Sequence, residues 1–491
     1  MSELKPFAEE EEYPDEDVEE EEEEVGELVV IDDELVESLL EGIESSNPNQ
    51  LAQAVDVIIG SLGYKHNIIL DEDLEKPPIY TILPKLIPKL TDLYNNSKEG
   101  SVKHTKVNHL LETLSAGVFD SFDKFKKDIF LFEIYCKGIC TMKEFLDEKV
   151  ANSAFVNASK VGLQKDSHRP IIFKMFGELV SDQNYTSKVL EMQFSELIKS
   201  NEQSSIENML PSIIDFYLEH KEEVLPFVKS LVKRLSSELM HTMSQSDKSM
   251  ISWRTLATIQ LVVKYMIETK EQRLVYPVLL ILTSFLRHFP IKVYLPFQIR
   301  IANITHNVSK TFGVYAPVLC WVTDSIQFLC SVNAKGGQKF NWETQLTSPQ
   351  QLTFEFCHGA LDQLKKIFFA NLLGECESIA FPEYVMPIRK RLEAIVATKT
   401  QLSGEVKPLI HQIADQQQRL LKVKNEIEWK SRQEQLSAFQ AKVDEEPTPL
   451  KTTLTKQSNI EAAKERMKSM KPKKQVDDTG DIVEVATADD V

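Results

Sequence analysis

From Val29 to Val443 apolar residues recur at helical spacing. Leu35, Leu39, Leu40 and Ile43 share one face, and Leu51, Val55, Ile58, Ile59 and Leu62 share the next, a pattern that predicts amphipathic helices. After Lys76-Pro77-Pro78, the phrases Leu83-Pro84 and Ile87-Pro88 open a helix toward Leu93. Val107, Leu110, Leu111 and Leu114 form another face, Ile129–Phe145 is a strong amphipathic run, and Ile171–Val180, Lys188–Ile198 and Ile206–Leu218 follow. Pro211 is expected near the start of its helix, and Pro226 is expected to begin one that runs to about Met240. Alternating β-branched stretches are rare and Asn-Gly or Asp-Gly turns are missing, so no sheet is expected.

One phrase recurs. Val275-Tyr276-Pro277-Val278, Val293-Tyr294-Leu295-Pro296-Phe297 and Val314-Tyr315-Ala316-Pro317-Val318 each place an aromatic ahead of a proline and an apolar run, and Phe381-Pro382 repeats the pairing. Proline suits the first turn of a helix, where its missing N–H has no partner to lose. The aromatic can fold back as an apolar staple. Tyr276, Tyr294, Tyr315 and Phe381 are therefore expected in the core or at caps. The first three prolines lie about 20 residues apart, so two steps match a HEAT or armadillo helix pair. The fold expected is all-α, a HEAT/armadillo-like helical solenoid whose neighbouring pairs stack into one continuous core.

Three stretches depart from this rhythm. Ala334–Gln350, with Gly336-Gly337, reads as a mobile surface loop. Lys407–Val443 has no glycine or proline after Pro408 and reads as one long helix. Its thin stripe of Leu409, Ile413, Leu420, Val423 and Ile427 is expected to pack along the solenoid or to await a partner. Both ends are charged. The organisation expected is a disordered acidic tail at 1–27, the solenoid at 28–400, the long helix at 401–446 and a disordered charged tail at 447–491.

Charge sharpens that division. The formal net charge is −19, yet Met1–Glu34 alone holds eighteen acids and one lysine, leaving about −2 for the rest. The acidic balance thus describes a tail that repels itself and suits basic partners such as histones. Lys451–Lys474 carries eight basic residues and two acids, and within it Lys471, Lys473 and Lys474 form a candidate nuclear-import run. The N-terminus lacks a basic-then-apolar leader, and the longest apolar run, Val275–Leu286, is too short to span a bilayer. A soluble intracellular protein without a membrane partner is expected.

Catalytic patterns are missing. There is no GxxxxGK[ST] loop, no HExxH and no GxSxG, and the histidines are scattered singly. The six cysteines show no CxxC spacing and read as free thiols of a reducing compartment. No enzyme activity, cofactor or metal is expected. Two basic groups are candidates for contacts with phosphate or acidic protein, Lys229, Lys233 and Arg234 on one helix and Arg389, Lys390 and Arg391 near the start of another.

The order and spacing of the apolar phrases resemble nucleolar complex protein 2. The resemblance is carried by Leu274-Val-Tyr-Pro277, Leu286-Arg-His-Phe-Pro290, Tyr294-Leu-Pro296, Gly313-Val-Tyr-Ala-Pro317 and Ile379-Ala-Phe-Pro-Glu383. Ser252-Trp253-Arg254 resembles the family's Trp-containing phrase, and Thr448-Pro449-Leu450-Lys451 its proline–leucine–lysine phrase. The likeness spans about Ala151–Lys456, so the family-like core is about 151–400. It implies a non-enzymatic assembly factor of the nucleus, nucleolus and nucleoplasm, paired with the first or third nucleolar complex protein. Its setting would be the pre-60S particle, with RNA contacted directly or through partners, in large-subunit maturation, rRNA processing and intranuclear transport. Some members are described as histone-binding. The alternatives are a chromatin regulator using the acidic tail and a HEAT-type nuclear transport adaptor. The chain departs from the pattern in its acidic, rather than strongly basic, N-terminal segment.

Overall fold

Local caps and breakers set most helix limits. In the computed structural model the described residues are 29–63, 68–71, 76–142, 145, 148–245, 249–337, 339–427, 432–444, 448, 451, 474–476 and 482–484. The expected acidic tail at 1–27 lies outside them. Two compact units part between Leu179 and Val180.

The first unit holds α1 (Asp33–Ser45), α2 (Pro48–Ser61), α3 (Pro78–Thr81), α4 (Leu83–Asn95), α5 (Val102–Asp120), α6 (Phe122–Phe125), α7 (Ile129–Met142), α8 (Glu148–Gln164) and α9 (Arg169–Val180). Asp32 caps α1 by accepting from the Leu35 N–H at 2.8 Å, and Ser101 caps α5 by accepting from the His104 N–H at 3.1 Å. Such bonds satisfy amides that the helix itself leaves open. Helix α2 packs on α4 and α5, and α7 packs on α4, α5 and α8. Tyr135 of α7 is fully buried among Phe119, Phe122 and Phe125, with ring centroids 5.1–5.5 Å away.

The expectation of no sheet needs two corrections. Val29–Ile31 pairs in parallel with Ile68–Leu70, two β-branched triplets too short to show an alternating pattern. Within the expected C-terminal tail, Lys474–Val476 pairs antiparallel with Ile482–Glu484.

The second unit continues with α10 (Gln183–Leu197), α11 (Gln203–Glu219), α12 (Lys221–Gln245), α13 (Trp253–Thr269), α14 (Val275–His288), α15 (Ile291–Phe312), α16 (Val318–Ser331), α17 (Phe354–Glu375), α18 (Phe381–Ala397), α19 (Lys407–Glu426) and α20 (Arg432–Asp444). Helix α11 packs on α12 and α13, α12 on α13 and α14, α14 on α15 and α16, α15 on α16 and α17, and α16 on α17 and α18. Contact with the next helix and the next but one builds two layers, odd helices in one and even helices in the other, as a helical solenoid requires. Pro211 and Pro226 are not helix starters: they lie inside α11 and α12.

The recurring phrase does not have one structural meaning. Pro277 is the third residue of α14, Pro317 is the cap ahead of α16, and Pro382 is the second residue of α18. Pro296 instead lies inside α15, where the chain leaves helical geometry at Tyr294 (φ −114°, ψ 16°). Proline removes one N–H and crowds the carbonyl four residues back, here that of Lys292, so the helix kinks. The aromatics divide as well. Tyr294 and Phe381 are buried, whereas Tyr276 is 76% and Tyr315 64% exposed. In α14, Val275 and Val278 take the core face and leave Tyr276 outside it. Tyr315 precedes α16 and sets its ring edge-on to Tyr384 at 6.3 Å.

The segment Ala334–Gln350 is not a free loop but a strap bound to the odd layer. An unbroken α15 would join the Phe297 N–H to the Val293 carbonyl. Both groups turn to the strap instead, Phe297 N donating to Leu346 O at 3.1 Å and Ser348 N donating to Val293 O at 2.7 Å. Gln203 N donates to Glu343 O at 3.2 Å, and the Trp253 indole donates to Thr344 O at 3.2 Å. Arg300 donates to Trp342 O and, at 2.9 Å, to Gln203 Oε1, with its guanidinium 4.9 Å from the Trp253 ring centroid. Trp342 stacks on Phe356 at 5.6 Å. A Cβ on Gly337 would fall 2.2 Å from Thr353 Cγ2, so a larger residue there would displace the Thr353 side chain. These anchors are scattered along the sequence, which is why the polar, glycine-containing segment reads as mobile.

The expected long helix is two. Helix α19 ends at Ile427 (φ −94°, ψ 126°), and α20 turns back on it. Arg419 Nη2 donates to Val443 O at 3.2 Å, whereas those residues would lie about 36 Å apart in one straight helix. The thin stripe is packed: Leu409, Ile413 and Leu420 are buried as α19 lies along α18.

The divided fate of the aromatics gives a paired prediction. Tyr294→Ala should lower stability by about 3 kcal/mol, through lost burial and a cavity. Tyr276→Ala should change it by less than about 0.5 kcal/mol. Urea midpoints for the two variants check both.

Candidate interaction surface

The even layer presents one exposed stripe per helix. On α14 it runs Tyr276, Leu280, Arg287, on α16 Cys320, Asp324, Gln327, and on α18 Met386, Pro387, Lys390. Each stripe keeps helical spacing because the opposite face of the same helix is in the core. Tyr276, Leu280, Tyr315 and Met386 place four exposed large apolar side chains on this surface.

The candidate basic trio does not act as one patch. Arg389, Lys390 and Arg391 lie mid-helix in α18 rather than near its start. Arg389 Nη1 donates to Gln417 Oε1 at 2.5 Å, and its Nε lies 3.2 Å from Glu393. Arg391 pairs with Asp324 and donates to Gln327 Oε1 at 3.3 Å, tying α18 to α16. Lys390 faces solvent. Of the earlier basic group, Arg234 stacks 4.8 Å over the Phe194 ring and pairs with Glu238. Three arginines that read as charge on a surface therefore hold helices together.

Between α14 and α16 the outer face opens into a groove of about 410 Å³ lined by Leu286, Arg287, Phe289, Ile291, Pro317 and Trp321, among others. A larger hollow of about 680 Å³ flanks the strap and is lined partly by Ser252, Trp253 and Arg254. The first of these residues caps α13 and the second anchors the strap.

Buried amides do work that the sequence did not signal. Gln298 donates to the carbonyls of Phe285 and Phe289 at 3.0 and 2.9 Å, closing the end of α14. Gln416 donates to Cys376 O at 2.6 Å, and Gln417 to Pro382 O at 2.9 Å. A glutamine inside an otherwise polar helix such as α19 looks solvent-facing until the neighbouring helix is in place.

His358, Asp362 and Glu405 are the residues nearest to a metal-ligand set among the described ones. The His358 ring nitrogens lie 3.5 Å from Asp362 and 3.3 Å from Glu405. Lys365 sits against the other oxygens of both carboxylates at 3.2 and 2.7 Å. The lysine thus supplies the positive charge that a metal ion would bring, and the cluster fastens α17 to the turn Ser403–Val406. His358, Asp362 and Lys365 share one helical face in the sequence, but Glu405 could not have been paired with them there.

Part of the expected C-terminal tail is docked. Thr448 is buried and donates to Glu377 Oε1 at 2.6 Å, and Lys451 pairs with the same carboxylate. Of the candidate import run, Lys471 and Lys473 lie outside the described residues, and Lys474 opens the short C-terminal strand. Among the described residues no helix is long and apolar enough to cross a membrane.

Such a structure defines a class: an all-α protein of stacked helices in a two-layered solenoid. Over residues 176–457 the chain matches the family model described as the Noc2p family. The chain belongs to that family, and the match covers most of the second unit, including the strap, the kinked α15 and the docked Thr448. Membership points to a role in ribosome biogenesis and to the nucleolus.

Two predictions come from this chemistry. Burial opposes the charged form of Glu377, but the bonds from Lys451 and Thr448 outweigh it and hold the pKa below the usual carboxylate value. A depressed carboxyl pKa contributes stability above its unfolded value and loses it as pH falls through the folded one. The protection factor of the Thr448 amide, referred to the intrinsic exchange rate at each pH, should therefore be higher at pH 7 and fall below about pH 4.5. Burial also pushes the thiols of Cys330, Cys357 and Cys376 up to about 11, leaving only about 0.1% thiolate at pH 8. Exposed Cys320 should react with maleimide well before them, as peptide mass mapping of a time course would show.

Proposed function

We propose that this chain is a non-enzymatic ribosome biogenesis factor. It acts as a helical scaffold that pairs with the first or third nucleolar complex protein on pre-60S particles, supporting large-subunit maturation and intranuclear transport. The observation that carries the reading is the family match over 176–457, which falls on the two-layered helical array. The outer stripes of α14, α16 and α18 are the surface assigned to the partner. Helical arrays dock partner helices along such faces, and a stable pairing buries more than about 1,000 Å² around a few aromatic or arginine anchors. The stripe of α19 is already taken up by α18, so it is not the docking helix.

A second reading, histone binding, is favoured by the charge of Met1–Glu34. Deleting Met1–Glu27 should then remove histone capture and leave capture of the nucleolar complex partner intact.

The test is affinity purification of the full chain at moderate salt, with the captured protein and RNA identified. A nucleolar complex paralogue and large-subunit precursor RNA are expected. Leu280→Asp combined with Met386→Asp should lower paralogue recovery by about tenfold or more without loss of helicity by circular dichroism. Recovery of transport cargo and a small GTPase instead would favour an adaptor, and unchanged recovery from the double variant would move the interface off this face.

A further inference from the structure

The groove between α14 and α16 has apolar walls with two kinds of polar group around them. Leu286, Phe289, Pro290, Ile291 and Pro317 supply the walls. Trp321 also lines it, is 6% exposed, and its indole N–H has no acceptor. A buried donor without a partner is uncommon and costly; the nitrogen is closed to solvent, so an incoming carbonyl or carboxylate oxygen satisfies it as the ring turns toward the groove.

The rim has one sign of free charge. Asp324, the one acid of the lining, is engaged by Arg391. Arg287 lines the groove and Lys292 follows it at the α14–α15 corner, both exposed and, among the described residues, without an acidic partner. Exposed His288 lies between them in sequence. Beyond the groove, the stripe continues with exposed Leu280 and Tyr276.

We propose that this groove docks a short acidic protein segment carrying an apolar anchor. The anchor side chain enters between Leu286 and Pro317, a main-chain carbonyl of the segment accepts from the Trp321 indole, and flanking carboxylates pair with Arg287 and Lys292. Two positive charges would serve a phosphate backbone equally well, but apolar walls and a buried donor suit a peptide. The proposal rests on the scaffold reading for its choice of face and adds the chemistry of what that face holds.

The test uses the full chain and a fluorescein-labelled peptide with a central Leu-x-x-Phe flanked by Asp and Glu, read by anisotropy. Saturable binding is expected, weakening with salt. Arg287→Glu with Lys292→Glu should weaken it by about tenfold or more. Trp321→Phe, which removes the N–H together with one of the two fused rings, should weaken it by about threefold to tenfold. A peptide with Lys in place of Asp and Glu should not bind. Circular dichroism and thermal midpoint establish that each variant is folded.

No binding by the unaltered chain, or binding untouched by the double charge reversal, overturns the proposal. So does tighter binding of an oligouridylate that displaces the peptide, which would make the rim a phosphate contact. If the full chain captures its nucleolar complex partner while the peptide fails, only this inference falls. If the peptide binds as described and no partner is captured, the groove stands and the scaffold reading falls.

Discussion

The array depends on a helix that is broken and then mended from outside. Pro296 denies α15 continuous hydrogen bonding, and the chain departs from helical geometry at Tyr294. The amide of fully buried Phe297 would be costly to leave unmade, and the break frees the Val293 carbonyl with it. Leu346 and Ser348 meet both. With that seat fixed, the strap reaches α11 through Glu343, α13 through Thr344 and α17 through Trp342. One proline thereby fixes a segment that bridges four helices of one layer, and Arg300 reinforces the bridge with a guanidinium half-sunk beside Trp253.

Because the strap secures the odd layer, the even layer is left to face outward with its own composition. Its stripes carry Tyr276, Leu280 and Met386, while arginines that could have joined them are drawn into the structure. The division is physical. Guanidinium groups satisfy several partners at once and suit inter-helix ties, whereas Tyr276, one residue round from the core face, stands out in solvent. Exposed stripe and internal cross-link are thus drawn from residues that look interchangeable in the chain.

Much of the architecture was legible in the sequence because helical periodicity is local. The faces of α1, α2, α5 and α7, the proline-led starts of α14 and α18, and the all-α class needed only neighbours within a turn or two. Partners distant in sequence were not legible. Nothing near Ala334–Gln350 announces that Trp253, Arg300 and Phe297 will hold it. Ile427 carries no breaker, yet the return contact from Arg419 to Val443 follows the chain reversal. The aromatic–proline phrase misled for a related reason: it marks helix starts at Pro277, Pro317 and Pro382 but a kink at Pro296, and whether its aromatic is buried depends on the register against the next helix. Tyr294 and Tyr276 share a phrase and have opposite surroundings. The candidate surface was the least legible part, since the arginines chosen from charge alone are largely occupied.

The glutamines inside the array bear on its accuracy rather than its cohesion. Apolar ridges pack into grooves at more than one register, and a helix displaced by a turn would still find oily neighbours. A carboxamide aimed at particular carbonyls has no such latitude. Gln298 locks onto the end of α14, Gln416 onto the end of α17, and Gln417 onto both Pro382 and Arg389. A one-turn slip would strand each of them in a dry interior. The amides act as detents in a sliding joint, so successive helices stop at one pitch and the outer stripes arrive in line.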